Sequence, residues 1–556
     1  MKKFLPLLLI LGILAACAPS KPAITNTPVP TQTALPTATT EPEPSPSPSL
    51  TDTSIPAVRP WWEDAVFYEI FVRSFYDSNG DGIGDFNGIT QKLDYLKGLG
   101  ITALWLMPIY PSPSYHGYDV TDYFSVNPQY GTMDDFKNLL SQAHARGIHV
   151  ILDMVLNHTS NLNPWFINSD TNVAPYRDWY IWADTNPGYL GPLGTAWFQG
   201  KQGYYYGIFG ASMPDLNYRN PAVTAEVDKI TAFWLKDTGV DGFRLDAINY
   251  LIEEGQKQIN TQSTHNWLKG FYSTYKGDNP EAFTVGEVFG SDATLAATYT
   301  GNQLDMVFNF EMASGFINSA NGQTNSAIDS ALTFVKQAMP NWQFATFLTN
   351  HDQARTMSTL DSSIDKAKLA AFLLFTSPGT PFIYYGEEIG MEGEKPDPDI
   401  RRPMQWTAGA NAGFTTGTPW EGLGSNLQTA NVAVESTEPG SLLSFYKNLI
   451  AIRANNPILR SGGLTLLSTG DAGVYASLRY DNNGIILILV NLTGQPISDY
   501  ALDGGDPAIE NGIYHPTSIF GSGTFSNGTV SAGKFSNYQP LVPLPAYGEY
   551  ILELAR

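Results

Sequence analysis

Short runs of apolar, β-branched and aromatic residues recur between residues 65 and 386: AVFYEIFV (65–72), ITALWLMPI (101–109), HVILDMV (149–155), GFRLDA (242–247), AFTVGEV (282–288), DMVFNF (305–310), ATFLTNH (345–351) and GTPFIYYG (379–386). Runs that carry apolar side chains on both faces predict strands buried on both sides, as in a parallel sheet. Between most of them lie stretches with helical spacing, including ITQKLDYLKGLG, MDDFKNLLSQAHARG and PAVTAEVDKITAFWLKDTG; the last two end in Gly147 and Gly239, where a helix C-cap favours a residue free to turn left-handed. Eight strands alternating with amphipathic helices predict an α/β fold, a (β/α)8 TIM barrel over residues 59–460.

The alternation breaks twice. Residues 159–219 form a segment rich in Trp, Tyr, Asn and Gly that is too long for an ordinary strand-to-helix loop, and predict a lobe inserted after the third strand. From about residue 461 the pattern becomes short alternating strands with Gly and Asn turns, as in GDAGVYASLRY, GIILILVNLTG and LPAYGEYILEL, which predicts a C-terminal antiparallel β-sandwich over 461–556.

The N-terminus carries a different signal. Lys2 and Lys3 precede an apolar stretch, Phe4 to Ala16, too short to span a bilayer, and Leu14-Ala15-Ala16-Cys17 has the small-residue pattern of a cleavage site. Cys17 is the only cysteine, and its place resembles a bacterial lipobox, so residues 1–17 are expected to be a lipoprotein signal peptide with Cys17 as the lipidated first residue of the mature chain. Residues 18–58, with PVPTQT and EPEPSPSPS, have the composition of a disordered tether. The expected location is extracytoplasmic, at a bacterial cell surface or in the periplasm, with the lipid as the only membrane contact.

Composition narrows the partners. With 31 basic against 53 acidic residues the net charge is −22, which disfavours nucleic acid and suits a neutral substrate. The 29 Tyr, 29 Phe and 12 Trp supply flat apolar faces that pack cores and also stack on sugar rings. A monomer is expected.

Barrel geometry says where to look for chemistry, because active sites gather where the loops leave the C-terminal ends of the strands. The third strand ends in Asp153-Met154-Val155-Leu156-Asn157-His158, the fourth carries Arg244 and Asp246, the fifth ends at Glu287 and the seventh runs into Asn350-His351-Asp352. Arg244 lies two residues before Asp246, so both project to one face of the pleat, where the cation can keep the carboxylate ionised and aimed. After the first strand, DSNGDGIGD places oxygens of Asp77, Asn79, Asp81, the Ile83 carbonyl and Asp85 in the alternation of a calcium loop, although position twelve is Gly88 instead of Glu. A structural Ca2+ is expected there.

DMVLNH, GFRLDA, VGEV and TNHD, in that order, resemble the four signature regions of the α-amylase superfamily, glycoside hydrolase family 13. YHGYDVTDY, MPDLN at 213–217 and GTPFIYYGEEIGM add to the likeness, and MPDLN resembles an intermediate group between oligo-1,6-glucosidases and neopullulanases. The acidic loop at 77–85 is also similar to the calcium loop of oligo-1,6-glucosidases. The resemblance implies that Asp246 is the nucleophile, Glu287 the general acid/base and Asp352 the third carboxylate. It further implies that His158 and His351 bond the reacting sugar, that Tyr118 is the platform beneath it with His116 beside it, and that the inserted lobe is the family's domain B. Ala247 resembles α-1,4-acting members, which implies hydrolysis of α-1,4 bonds in starch, glycogen or maltooligosaccharides. Asn249-Tyr250 replaces the Lys-His pair of many α-amylases. Asp119 and the RRPMQW stretch (401–406) resemble exo-acting α-glucosidases and trehalose synthases, so Asp119 and Arg401 are expected to lie close together around a terminal sugar. A sugar-binding surface lipoprotein without activity is the alternative outside enzymology, and loss of a carboxylate would have favoured it.

Overall fold

The computed structural model describes residues 59–556; the lipobox, Cys17 and the tether lie outside the described residues. Eight parallel strands close into a barrel in chain order: β1 (Phe67–Ile70), β2 (Ala103–Leu106), β3 (His149–Met154), β4 (Gly242–Leu245), β5 (Phe283–Gly286), β6 (Met306–Phe308), β7 (Phe344–Thr346) and β8 (Thr380–Tyr384), with β8 pairing back onto β1. Seven lie within one of the eight apolar runs, and β7 overlaps its run only at Ala345 and Thr346.

Side chains alternate across each strand, and the inward set fills the barrel. Phe67, Trp105, Ile151, Phe283, Val285, Met306, Phe308, Phe347 and Phe382 form that interior, and Trp61 and Trp62 close its N-terminal mouth. The outward set packs against the surrounding helices in a separate, larger core. Helix α1 (Phe86–Leu99) starts on the Asp85 carboxylate, which accepts the Gly88 N–H, and stops at left-handed Gly100. Helix α2 (Met133–His144) opens with a Thr132/Asp135 capping box. Helix α3 (Pro221–Ala232) continues as a π-turn, Phe233–Thr238, before left-handed Gly239, so the amphipathic stretch predicted as one helix ends one turn wider than it begins.

The insertion after β3 holds the helix Pro164–Asp170 and two small antiparallel sheets. The C-terminal unit is one continuous antiparallel sheet of eight strands curled on itself, its two ends tied by the Ser468–Asp503 bridge. Its strands Val474–Asp481, Gly484–Asn491 and Glu549–Ala555 are buried on both faces. Val474, Leu478, Leu487, Leu489 and Leu552 face the unit's own core, whereas Tyr475, Ile486, Ile488, Val490 and Ile551 pack on the barrel. Among the described residues no helix is long and apolar enough to cross a membrane.

Candidate active site

The alternation that fills the barrel with apolar groups continues upward into charge. On β3 the inward series runs Ile151, Asp153; on β4 it reaches Arg244 and then Asp246; on β5 it runs Phe283, Val285 and then Glu287. Parallel register sets Asp153 and Val285 directly beside Arg244. The last inward layer is therefore a cation among carboxylates.

Arg244 is the hub. Its Nη1 donates to Asp153 Oδ1 at 2.9 Å and to Asp246 Oδ1 at 2.7 Å, and its Nη2 donates to Glu287 Oε2 at 2.6 Å. Its side chain is 1% exposed, and its guanidinium lies 5.3 Å from the Trp105 ring centroid. A buried guanidinium with several carboxylates holds its proton more tightly than usual: burial works against the charge, and Asp153 and Glu287 outweigh it. One cation cannot neutralise three anions in a low-dielectric layer, so one carboxyl keeps a proton. Burial raises Asp153 to about 6 and Glu287 further, so Glu287 keeps its proton to the higher pH. Burial drives its pKa up to about 7, Arg244 pulls against the rise, and Asp246 and Asp352 add to it.

Two backbone features serve this pair. Ala247, next after Asp246, takes φ +46°, uncommon for a residue with a Cβ, and in that conformation its N–H donates to Glu287 Oε2 at 3.2 Å. Gly242, which opens β4, has room for no side chain, since a Cβ there would sit 2.0 Å from the Phe283 carbonyl oxygen. That close approach draws β4 against β5 and brings Asp246 level with Glu287.

Asp352 stands across the opening with its side chain 48% exposed, reached by Arg401 Nη2 at 2.8 Å and by His351 Nε2 at 3.3 Å. Partial burial raises its pKa, but the His351 and Arg401 charges outweigh it and hold the carboxyl below its ordinary value. His351 is fully buried between two partners, Glu69 Oε1 at 2.5 Å from Nδ1 and the Tyr118 hydroxyl at 2.7 Å from Nε2. Burial disfavours its charge, yet Asp352 and Glu69 raise its pKa overall. The Tyr118 hydroxyl also donates to Asp153 Oδ2 at 3.0 Å, so a continuous chain of bonds links Glu69, His351, Tyr118, Asp153 and Arg244. His158 points Nε2 at the Tyr118 carbonyl oxygen at 3.2 Å, and burial lowers its pKa, favouring the neutral ring.

These groups line a cleft of about 400 Å3. Arg244 and His351, expected to meet the substrate, are buried behind the cleft surface, 1% and 0% exposed, whereas His116, Tyr118, His158, Asp246, Glu287, Asp352 and Arg401 all face it. Asp119 does not. Its Oδ1 accepts from Ser112 at 2.5 Å and from Ser114, whereas Arg401 bonds Asp352, Asp397 and the His351 carbonyl. No ion pair joins Asp119 to Arg401, because Ser112 and Ser114 take the Asp119 bonds, although both charges act on His116 of the cleft. Glu69, Trp105 and Asp397 join Asp153 at the site without having been singled out. Asp153 and Glu69 were visible as acidic residues inside apolar strands, a costly placement that requires a partner. Among the lobe's aromatics, Trp179, Trp197, Tyr205 and Tyr206 are buried in its packing, and the lobe meets the cleft through Leu193, Phe209 and Met213. Tyr250 lines the cleft beside them, its ring edge-on to Phe209.

The loop 77–85 is built from oxygen donors alone, the chemistry a hard cation takes. Asn79, Gly80 and Gly82 donate to the Asp77 carboxylate, Asp81 N–H donates to Asn79 and Ile83 N–H to Asp81. Gly82, at φ +94°, would press a Cβ to 1.9 Å from the Thr418 carbonyl oxygen, so glycine lets the loop dock on the 414–420 segment. Asp85 is spent as the cap of α1 and on Ser78, and Asp77 also accepts from Thr415. Among the described residues no cluster of three or more His, Cys, Asp or Glu is placed to hold a metal ion. The side-chain oxygens of Asn79 and Asp81 and the Ile83 carbonyl retain free lone pairs for one.

Residues 69–462 match the model of the alpha-amylase catalytic domain. The chain belongs to the α-amylase family of glycoside hydrolases, family 13. Alpha-amylase 3 of Dictyoglomus thermophilum is 44% identical over 437 residues, covering 77% of this chain and 85% of that protein. The oligo-1,6-glucosidase of Heyndrickxia coagulans is 36% identical over 518 residues, covering 79% and 93%. Among solved structures, the α-amylase of H. orenii superposes with a TM-score of 0.77 at 38% identity, covering 88% of this chain and 99% of that one. The trehalulose synthase of Pseudomonas mesoacidophila MX-45 gives 0.77 at 30% identity, covering 89% and 100%. Three of the four segments that resemble the family's signature regions build the Arg244 layer and the fourth sets Asp352 across from it, in an enzyme that acts on glycosidic bonds.

Proposed function

We propose that this family 13 enzyme is a retaining hydrolase of α-1,4-glucosidic bonds in starch, glycogen or maltooligosaccharides, acting in the manner of an α-amylase. The observation that carries the reading is the Arg244 fork bonded to both Asp246 and Glu287. One guanidinium spanning two carboxyl groups favours the short separation of about 5–5.5 Å used by retaining glycosidases over the wider gap of inverting ones. Asp246, paired to Arg244, attacks the anomeric carbon while Glu287, protonated because its pKa lies near 7, gives its proton to the departing glucosidic oxygen. The Glu287 carboxylate then takes a proton from water, the water oxygen attacks the same carbon, and the bond to Asp246 breaks. Asp352, ionised and half-exposed at the opening, is set to hold the hydroxyls beside the reacting carbon.

The 44% relative named for α-amylase activity supports α-1,4 action. A second reading, exo-attack at chain ends or transglycosylation, is supported by the Arg401–Asp352–Asp397 group on one wall of the cleft and by the relatives named oligo-1,6-glucosidase and trehalulose synthase. A maltoheptaoside blocked at its non-reducing end separates the two. Efficient cleavage supports the α-amylase reading, and cleavage only of the unblocked chain overturns it.

We also propose that loop 77–85 holds a structural Ca2+ through Asn79, Asp81 and the Ile83 carbonyl, with Asp77 and Asp85 completing the set by turning from the donors that now engage them, and that the chain is exported and acylated at Cys17. The ion's role would be to stiffen the loop that carries α1; no catalytic step passes through it. Chelation should lower the melting temperature and calcium restore it, with Asp81→Ala abolishing the difference. Radiolabelled palmitate incorporated by the wild type and not by Cys17→Ala would support the anchor.

A further inference from the structure

The barrel's other end holds a second cleft that the chemistry above does not use. It measures about 500 Å3 and opens at the N-terminal mouth, between the entries to β1, β6, β7 and β8. Three aromatic rings line it, Trp62, Tyr272 and Trp342, with Asn341, Gln343 and Lys276 among them. Lys276 lies 4.5 Å from the Trp62 ring centroid and is neutralised by Asp305 at 2.9 Å, so its charge is already satisfied.

Residues 341–343 form the turn between the helix Ser326–Ala338 and β7. Trp342 takes φ +57° there, a conformation that disfavours a bulky side chain. An Asn or Gly would occupy the position without strain. Backbone strain of this kind persists where the displayed side chain has a use. The Asn341 and Gln343 amides and the Trp342 indole N–H make no hydrogen bond to another described residue, although Trp342 is half-buried. A strained aromatic face between two free amides, beside two further rings and an ion pair, combines stacking with planar polar donors and acceptors. That combination matches a neutral polyhydroxylated ring, which offers C–H faces to the aromatics and hydroxyls to the amides. It suits an anion poorly, because the cations that line it are already paired, Lys276 with Asp305, Arg59 with Glu63 and Asp64, and Arg460 with Asp64.

We propose that this cleft is an auxiliary glucan-binding site, with Trp342 as its stacking platform, which tethers a polymeric substrate at the end of the barrel opposite the chemistry. The proposal rests on the α-glucan reading, and the test separates the two. Retention on starch granules is measured in the Glu287→Gln background, so that the polymer survives. Activity on soluble maltooligosaccharides and on granular starch is measured in the otherwise wild-type enzyme. Trp342→Gly removes the ring while easing the positive φ, and Gln343→Ala removes one amide without touching the turn. Each should weaken retention about threefold to tenfold and slow granular hydrolysis by a similar factor, with kcat/KM on soluble oligosaccharides within twofold of wild type. Trp342→Phe should keep most of the retention. Unchanged retention in both Trp342→Gly and Gln343→Ala overturns this site. A wild-type enzyme inactive on both soluble and granular α-glucans overturns the glucan reading instead.

Discussion

Two groups of buried carboxyls in this protein each hold a glutamate whose pKa is raised, and they do different things. At the rim, Asp246 and Glu287 meet across Arg244 and face a cleft. Just after β8, Glu387 and Glu388 lie 5% and 0% exposed in a packed wall. Glu387 accepts from Tyr446 at 2.9 Å and Thr356 at 3.2 Å, and Glu388 Oε1 accepts from Tyr68 and Tyr95. Their nearby cation, Arg355, spends its bonds on the carbonyls of Ile400 and Tyr385. Burial takes Glu387 to about 8, higher than Glu287 at about 7. A displaced pKa alone therefore does not mark a catalyst. The rim pair has two things the wall pair lacks, a guanidinium that joins acid to nucleophile and a cleft that admits a substrate.

Glu287→Gln tests the difference most strongly: kcat on soluble starch should fall by about 10²–10⁴, while the melting temperature holds. Equal sugar release from variant and wild type would sink the catalytic assignment. Arg244→Gln should cost at least tenfold in kcat/KM and also leave a pH signature. Arg244 pulls the Glu287 pKa down, so without it the alkaline limb of kcat/KM should move to higher pH; a limb that stays in place would show the two are uncoupled. In the wild type, Glu287 must start protonated, so kcat/KM should decline as pH rises through about 7.

The wall pair should appear in stability instead. A carboxyl whose folded pKa is raised binds its proton more tightly in the folded state, so its contribution is fully present at low pH and is lost as pH rises toward the folded pKa. For Glu387 that window runs from the ordinary value of 4.5 to about 8. Glu387→Gln should gain on the order of 1–2 kcal/mol above pH 8 and almost nothing at pH 5, with activity unchanged. Glu388→Gln should gain less, because the Oε2 edge has no partner among the described residues and would leave an amide donor unpaired. Thermal melts of both variants at pH 5 and pH 8.5 read these effects, and identical pH slopes in wild type and variants would refute them.

Runs of alternating or continuous apolar residues are a local property, so all eight barrel strands, the inserted lobe and the C-terminal strands were legible before any coordinates. The charged motifs at the strand ends were legible too, and with them Asp246, Glu287 and the Arg244–Asp246 pair, while Asp352 stood out chiefly through the resemblance to family 13. Contacts between distant segments were not. That Arg244 reaches Asp153 follows from the β3–β4 register, which no single strand encodes. Glu69 and His351 are 282 residues apart in sequence and meet only because the barrel closes. Asp119 shows the converse, since its motif pointed to a place beside Arg401 and two neighbouring serines take its hydrogen bonds instead. Strand identity and side-chain alternation depend on steric and hydrophobic preferences within a few residues. Which carboxyl keeps its proton depends on the distances between charges and on the water excluded around them, and those quantities exist only once the barrel has closed.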